Sequence, residues 1–182
     1  MQRGLSRLLM AGVPVVNADL SVDVIGAGGD RLHTIAPAAL TGGGIGYLYE
    51  RLVGLDYERQ GYVVEYRGHL GYRDAGVDLV AKRADETRFA QCKCVLHAIA
   101  PMHVERMLFA ASEFVRRNLG PGQNHFDLVV PFEERAFPLR SHRGRQAENK
   151  ARVAFLRYNE AQRRVRLHIR EVPFPIHGPG AV

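Results

Sequence analysis

One stretch, residues 76–95 (GVDLVAKRADETRFAQCKCV), limits the folds open to this chain more than any other. Two short apolar runs, 77–82 and 88–95, flank the polar group Ala84-Asp85-Glu86-Thr87, which predicts a β-hairpin with a tight loop. A loop symmetric about Asp85 and Glu86 pairs Arg83 with Arg88 and, carried down the ladder, sets Asp78 directly opposite Lys93. Opposed residues share a face, as do residues two apart, so Asp78, Gln91 and Lys93 are expected to point the same way, their side-chain roots roughly 5–8 Å apart. Both strands are otherwise apolar enough to be central in a sheet. An exposed ion pair there would stabilise by only about 0–1 kcal/mol, and burying all three groups without a task is costly unless their pairing is excellent. The cluster therefore reads as a site.

The flanking segments supply a frame for it. After the flexible Thr41-Gly42-Gly43-Gly44, the residues Ile45, Leu48, Leu52 and Leu55 recur at helical spacing, and Gly61 closes the segment. Glu50 lies away from that leucine stripe, on the side of Val53 and Tyr57, and periodicity alone makes it an exposed glutamate. Residues 62–66 (YVVEY) read as a strand that delivers the chain to the hairpin through a Gly- and Arg-rich turn, 67–76. Downstream, Pro101 opens a second helix with an apolar face of Val104, Met107, Leu108, Ala111, Phe114 and Val115, ended by Gly120 and Pro121. Residues 126–132 (FDLVVPF) then form a buried strand, expected parallel to 88–95 because a helix crosses between them. In the last third, 153–158 and 165–172 read as a second hairpin around Asn159-Glu160-Ala161-Gln162. There Val165, Leu167 and Ile169 alternate with Arg164, Arg166, His168 and Arg170, giving one apolar and one cationic face. The expected organisation is an N-terminal arm over 1–40, a core over 41–132, a basic extension and hairpin packed on it over 133–174, and a mobile tail over 175–182. The fold class is α/β, a mixed central sheet flanked by helices.

Charge narrows the partners. Lys plus Arg total 25 against 19 Asp plus Glu, and the sequence pI is near 9.7, so a polyanion is the natural partner, although a ribosomal or membrane-surface role would carry the same charge. Between 135 and 170 the only acids are Glu148 and Glu160, which makes Arg143, Arg145, Arg164, Arg166 and Arg170 the candidate phosphate contacts. No apolar run reaches the roughly 20 residues of a membrane-spanning helix. Cys92 and Cys94 are two apart on a strand, cannot bridge to each other in regular geometry, and suit a reducing, cytoplasmic setting. Arg3 and Arg7, with no acid before Asp19, leave mitochondrial targeting as the minor alternative to a folded arm. Zinc on Cys92, Cys94, His97 and His103 is disfavoured because Cys-x-Cys is not the usual knuckle spacing. The glycines at 26, 28 and 29 make no dinucleotide fingerprint, and Walker and nucleophile-elbow motifs are absent.

A carboxylate beside an amide oxygen offers the hard ligands Mg²⁺ accepts, and an ammonium next to a metal can orient a water and offset charge on a phosphoryl oxygen. In this order and spacing, Tyr49-Glu50 on a helix, Asp74-Ala75-Gly76-Val77-Asp78-Leu79 entering a hairpin, and Gln91-Cys92-Lys93 on its second strand, the chain resembles the PD-(D/E)xK nuclease superfamily, in particular its Mrr-type restriction endonuclease branch. The resemblance covers about 46–118. It implies a restriction-endonuclease-like core with Asp78 as central metal ligand, Gln91 at the second-acid position, Lys93 as catalytic lysine, and Glu50 as a further metal ligand. Val77 stands where the superfamily has proline, and neutral Gln91 replaces an acid, which favours a one-metal mechanism. The implied activity is a Mg²⁺-dependent (alternatively Mn²⁺-dependent) DNA endonuclease, with DNA and a second copy of the chain as partners. The alternatives are a Holliday-junction-resolvase-like nuclease and a non-catalytic DNA-binding or assembly module on the same fold; a decayed site has no chemical reason to keep Asp78, Gln91 and Lys93 together.

Overall fold

The computed structural model describes residues 2–40, 43–68, 75–95, 97–142, 145–147, 149–161 and 164–174. Its centre is a five-stranded mixed sheet. Helix α2 (Gly43–Arg59) leads into β4 (Val63–Tyr66), β5 (Leu79–Arg83) and β6 (Glu86–Cys92); helix α3 (Pro101–Arg117) then crosses to β7 (Gln123–Val130), and α5 (Lys150–Ala161) to β10 (Arg166–Glu171). The strand order is β10-β7-β6-β5-β4, antiparallel from β4 to β6 and parallel from β6 through β7 to β10. The predicted pair of strands is thus central, as its two-sided apolarity required, and the predicted parallel partner lies beside it.

Each face of the sheet has its own core. On one, Leu79, Ala81, Ala90, Cys92 and Val129 pack under Leu48, Tyr49, Val53 and Tyr57 of α2. On the other, Val80, Phe89, Phe126, Leu128, Val165 and Leu167 pack under Val104, Leu108, Ala111 and Val115 of α3 and Ala151 and Phe155 of α5. The buried face of α2 is rotated from the expected leucine stripe: Leu52 and Leu55 are half-buried, while Tyr49, Val53 and Tyr57 are fully covered. Tyrosine explains the rotation. Its rings bury the most apolar area available on this helix, and their hydroxyls find buried acceptors, Tyr49 at the Val172 carbonyl (3.0 Å) and Tyr57 at Asp127 (2.5 Å). Glu50 therefore borders the covered side of the helix instead of facing open solvent.

The N-terminal residues fold onto this frame. Helix α1 (Gln2–Met10) is followed by the antiparallel meander β1 (Val13–Val16), β2 (Val22–Ile25) and β3 (Arg31–Ile35), and Leu9, Val22, Val24 and Ile35 join the α2 core. Arg51 of α2, itself buried, clamps the junction by donating to the Gly12 carbonyl (3.2 Å), Glu58 (2.9 Å) and the Tyr66 hydroxyl.

Two expectations are corrected. The first hairpin turns on Ala84-Asp85, not on four residues: Arg83 pairs with Glu86 and Leu79 with Ala90, a register two residues tighter than predicted. Ala84 takes φ +46°, and Glu86 is drawn into the ladder by Tyr62 (2.8 Å), Arg83 (3.2 Å) and Arg88 (2.8 Å). The second hairpin does not form. Residues 153–158 lie within α5, and β10 pairs in parallel with β7 as the edge strand of the main sheet. Asn149 caps α5 by accepting from the backbone N–H groups of Ala151 (2.9 Å) and Arg152 (3.3 Å). Between β7 and α5 lie the short helix α4 (Glu133–Ala136) and the ribbon of β8 (Arg140–His142) and β9 (Arg145–Ala147).

Candidate active site

The ladder between the two central strands breaks at Asp78. Its backbone carbonyl accepts from Arg67 N–H beyond the end of β4 (2.7 Å), and its N–H goes to the Ala90 carbonyl (2.8 Å), one residue out of register. The Asp78 carboxylate takes over on the β6 side: Oδ2 accepts from Cys92 N–H at 2.7 Å and from the Gln91 side-chain amide at 3.1 Å. A side chain that substitutes for a ladder carbonyl lies in the gap between two diverging strands, so this carboxylate, 5% exposed, marks where β5 leaves β6. The lead-in is conformationally demanding, with Ala75 at φ +55° followed by Gly76 at φ +72°.

Because the register is tighter than predicted, the partner that Asp78 meets is Gln91, and Lys93 is not directly opposite it. Strand alternation from Gln91 sets Lys93 on the same face, one pleat further along, and the strand geometry persists to it through Lys93 N–H bonding the Val129 carbonyl (2.8 Å). Gln91 is buried and Lys93 half-buried. Glu50 reaches the same end of the sheet from α2. Its carboxylate lies against Gly68, just past β4, so closely that a Cβ there would fall 1.7 Å from Oε2. Three of them act on the neighbouring Cys92: burial pushes its thiol up, Asp78 and Glu50 push it further, and the Lys93 ammonium opposes them. All three charges therefore bear on one sulfur at the end of β6. Asp74, the first acid of the motif, lies outside the described residues.

The donors of this cluster are hard in kind. Asp78 brings carboxylate oxygens, and Gln91, whose amide N–H₂ is spent on Asp78, turns its Oε1 toward Gly76, where a Cβ would come to 3.3 Å. A carboxylate and an amide oxygen suit Mg²⁺ or Mn²⁺. Among the described residues no three His, Cys, Asp or Glu side chains form a metal-binding group. The cysteines and histidines of the disfavoured zinc reading are dispersed, with Cys92 in the α2 core, Cys94 half-buried, and His97 and His103 exposed.

A second polar cluster, which the sequence did not reveal, crosses the α2 face of the sheet nearer the start of β6. Asp127 is 0% exposed and accepts from Tyr57 (2.5 Å) and twice from Arg88 (3.0 and 3.3 Å). Arg88 also holds Glu86 (2.6 Å), and His125 Nδ1 lies 2.9 Å from His168 Nε2. Burial, then Arg88 and His168, lowers the His125 pKa. The only sequence signal for this network was polar residues at alternate positions of strands otherwise apolar, which marks a face but names no partner across it.

The predicted phosphate contacts fall in different places. Arg164 and Arg166 are exposed and border a cleft with residues 119–124, at the end of the sheet away from Asp78. Arg170 is engaged internally, paired with Asp56 and stacked over Tyr57 at 4.3 Å. Arg145 belongs to β9, and Arg143 lies outside the described residues. Arg67, which was not predicted, stands at the site itself.

The fold is thus an α/β protein with helices on both faces of a mixed sheet, carrying a carboxylate–amide–lysine cluster at the divergence of its central strands. Comparison with family models, with curated proteins and with solved structures gives no match. Among the described residues no helix is long and apolar enough to cross a membrane.

Proposed function

We propose that this chain is a metal-dependent phosphodiesterase. More particularly, we infer a DNA endonuclease of the PD-(D/E)xK type, akin to the Mrr branch of restriction endonucleases. The observation that carries the reading is the Asp78 carboxylate in the gap between β5 and β6, bonded to Gln91, with Lys93 on the same face as Gln91 and Glu50 arriving from α2. The basic balance of the chain favours a polyanionic substrate.

Asp78 and Gln91, with Glu50 as a further ligand, would hold the Mg²⁺. When bound, the ion supplies Lewis-acid stabilisation of a phosphoryl oxygen and lowers the pKa of a water. The side chains act around it. The bonds from Cys92 N–H and from the Gln91 side-chain amide converge on Oδ2, fixing the Asp78 carboxylate and lowering its freedom to rotate. Lys93 orients the attacking water and offsets the negative charge that builds on the phosphoryl group. Exposed Arg164 and Arg166 lie too far along the sheet to touch the same phosphate, and would contact the backbone of a duplex several residues away.

The test incubates the full chain with linear, supercoiled, methylated and four-way-junction DNA in Mg²⁺ or Mn²⁺, alongside Lys93→Ala. Metal-dependent cleavage by the wild type that Lys93→Ala abolishes is the expected result. Cleavage that survives Lys93→Ala removes the assignment, binding without cleavage makes the chain a DNA-binding module, and exclusive cutting of junctions makes it a resolvase.

A further inference from the structure

Arg67 occupies a place in the site for which its protein contacts do not account. Its backbone N–H bonds the Asp78 carbonyl and continues the β4–β5 register by one step, so Arg67 stands directly opposite Asp78. The side chain goes to the α3 face of the sheet, where the guanidinium carbon lies 3.9 Å from the centroid of the Phe114 ring. Gln91 points to the same face from the far side of Asp78, its Oε1 near Gly76 and Ala110. Across three strands, cation, carboxylate and amide therefore form one row.

The guanidinium is held but under-used. Its side chain is only 13% exposed. Nη1 donates to Glu65 (3.0 Å), a carboxylate that is itself largely in solvent. Nε is buried and has no hydrogen-bond partner among the described residues. Phe114 covers the group from one side and offers no acceptor oxygen, and Phe89 packs on Phe114 in turn through an edge contact at 6.2 Å. A guanidinium held over an aromatic ring, with a donor that meets no protein acceptor among the described residues, is suited to receive an oxyanion.

We propose that Arg67 is the residue of this site that binds a non-bridging oxygen of the substrate phosphate, its guanidinium donating to the oxygen while Phe114 holds the group in place. The inference rests on the phosphodiesterase reading of the Asp78 cluster. It divides the labour within the cluster: Asp78 and Gln91 serve the metal, Lys93 the water, and Arg67 the phosphate being cut.

The test compares wild type, Arg67→Gln and Arg67→Lys as full chains, each checked for a wild-type unfolding midpoint. Binding of a short fluorescein-labelled duplex is titrated in EDTA over a range of salt, and cleavage of plasmid is followed in Mg²⁺. Arg67→Gln is expected to bind about tenfold more weakly at low salt and to reduce the slope of log affinity against log salt by about 0.9, one phosphate contact. Arg67→Lys keeps the charge and loses the fork, so it should retain the slope while kcat falls about tenfold or more with little change in KM; it also carries the test if Arg67→Gln does not fold. An unchanged slope in folded Arg67→Gln overturns the proposal, as does an equal loss of slope in both variants, which would make the residue structural. Wild-type cleavage with indifferent Arg67 variants removes Arg67 alone. No cleavage by wild type, with the slope still falling in Arg67→Gln, removes the nuclease and leaves the phosphate contact standing.

Discussion

Asp78 holds two buried donors and is proposed to hold the metal, and two substitutions tell these roles apart. Its Oδ2 accepts from the backbone of Cys92 and from the side chain of Gln91, both buried. Asp78→Ala removes this shared acceptor and leaves two buried donors unsatisfied at about 1–3 kcal/mol each; water entering the vacated space recovers part, so a net loss of about 2–4 kcal/mol is expected. For a domain of this size that lowers the unfolding midpoint by roughly 5–15 °C. Asp78→Asn has the same shape and keeps one oxygen able to accept from both donors, so its stability should stay within about 1 kcal/mol of wild type. What it loses is the negative charge. If Asp78 is the central metal ligand, metal-dependent cleavage should disappear in both variants although only Asp78→Ala is destabilised. Urea unfolding followed by circular dichroism, with plasmid cleavage in Mg²⁺ on the same preparations, reads the two effects independently. Cleavage retained by Asp78→Asn would refute the catalytic role, and equal destabilisation by Asn and Ala would refute the hydrogen-bonding account.

Two further outcomes follow from the fold. His125 has a lowered pKa because it is buried, with Arg88 and His168 adding to the effect. The unfolded chain therefore takes up the proton first: the stability is fully present above about pH 6.5 and declines as pH falls below it toward the lower folded value. His125→Gln should flatten the dependence of the urea midpoint between neutral and mildly acidic pH, and an unaltered slope would place the titration elsewhere. Asn149→Ala removes the cap of α5 and the bond from its side chain to the Pro138 carbonyl (3.0 Å), and should cost about 1–2 kcal/mol in urea unfolding. No measurable loss would mean that packing of Ala151 and Phe155, not the cap, sets the start of that helix.

The parts of this protein legible in its sequence are those governed by local period. Alternating and continuous apolar runs located β5, β6 and β7, and the 3.6-residue spacing of Val104, Leu108, Ala111 and Val115 located α3 with its buried face. Residues 153–158 defeated the same reasoning because a short run such as Val-Ala-Phe-Leu fits a strand or a helix equally; contact of Ala151 and Phe155 with the α3 core, together with the Asn149 cap, decides for the helix. The cap residue stood in the sequence, but an asparagine becomes a cap only once the helix after it has something to pack on.

For the site, the sequence by itself determined the chemistry: an acid, an amide and a lysine on adjacent central strands, with Gln91 and Lys93 on one face because two residues apart on a strand always share one. Tertiary structure decided which of them meet. Tyr62, reaching Glu86 from the approach to β4, helps draw the ladder two residues tighter, so Asp78 bonds Gln91 while Lys93 stands a pleat away. It also decided that Arg67, an arginine in a turn-like stretch, lies across from Asp78 on the Phe114 ring. Period is a property of the chain, but the pairing of one strand with another is set by side chains that meet only after folding, and no local pattern encodes it.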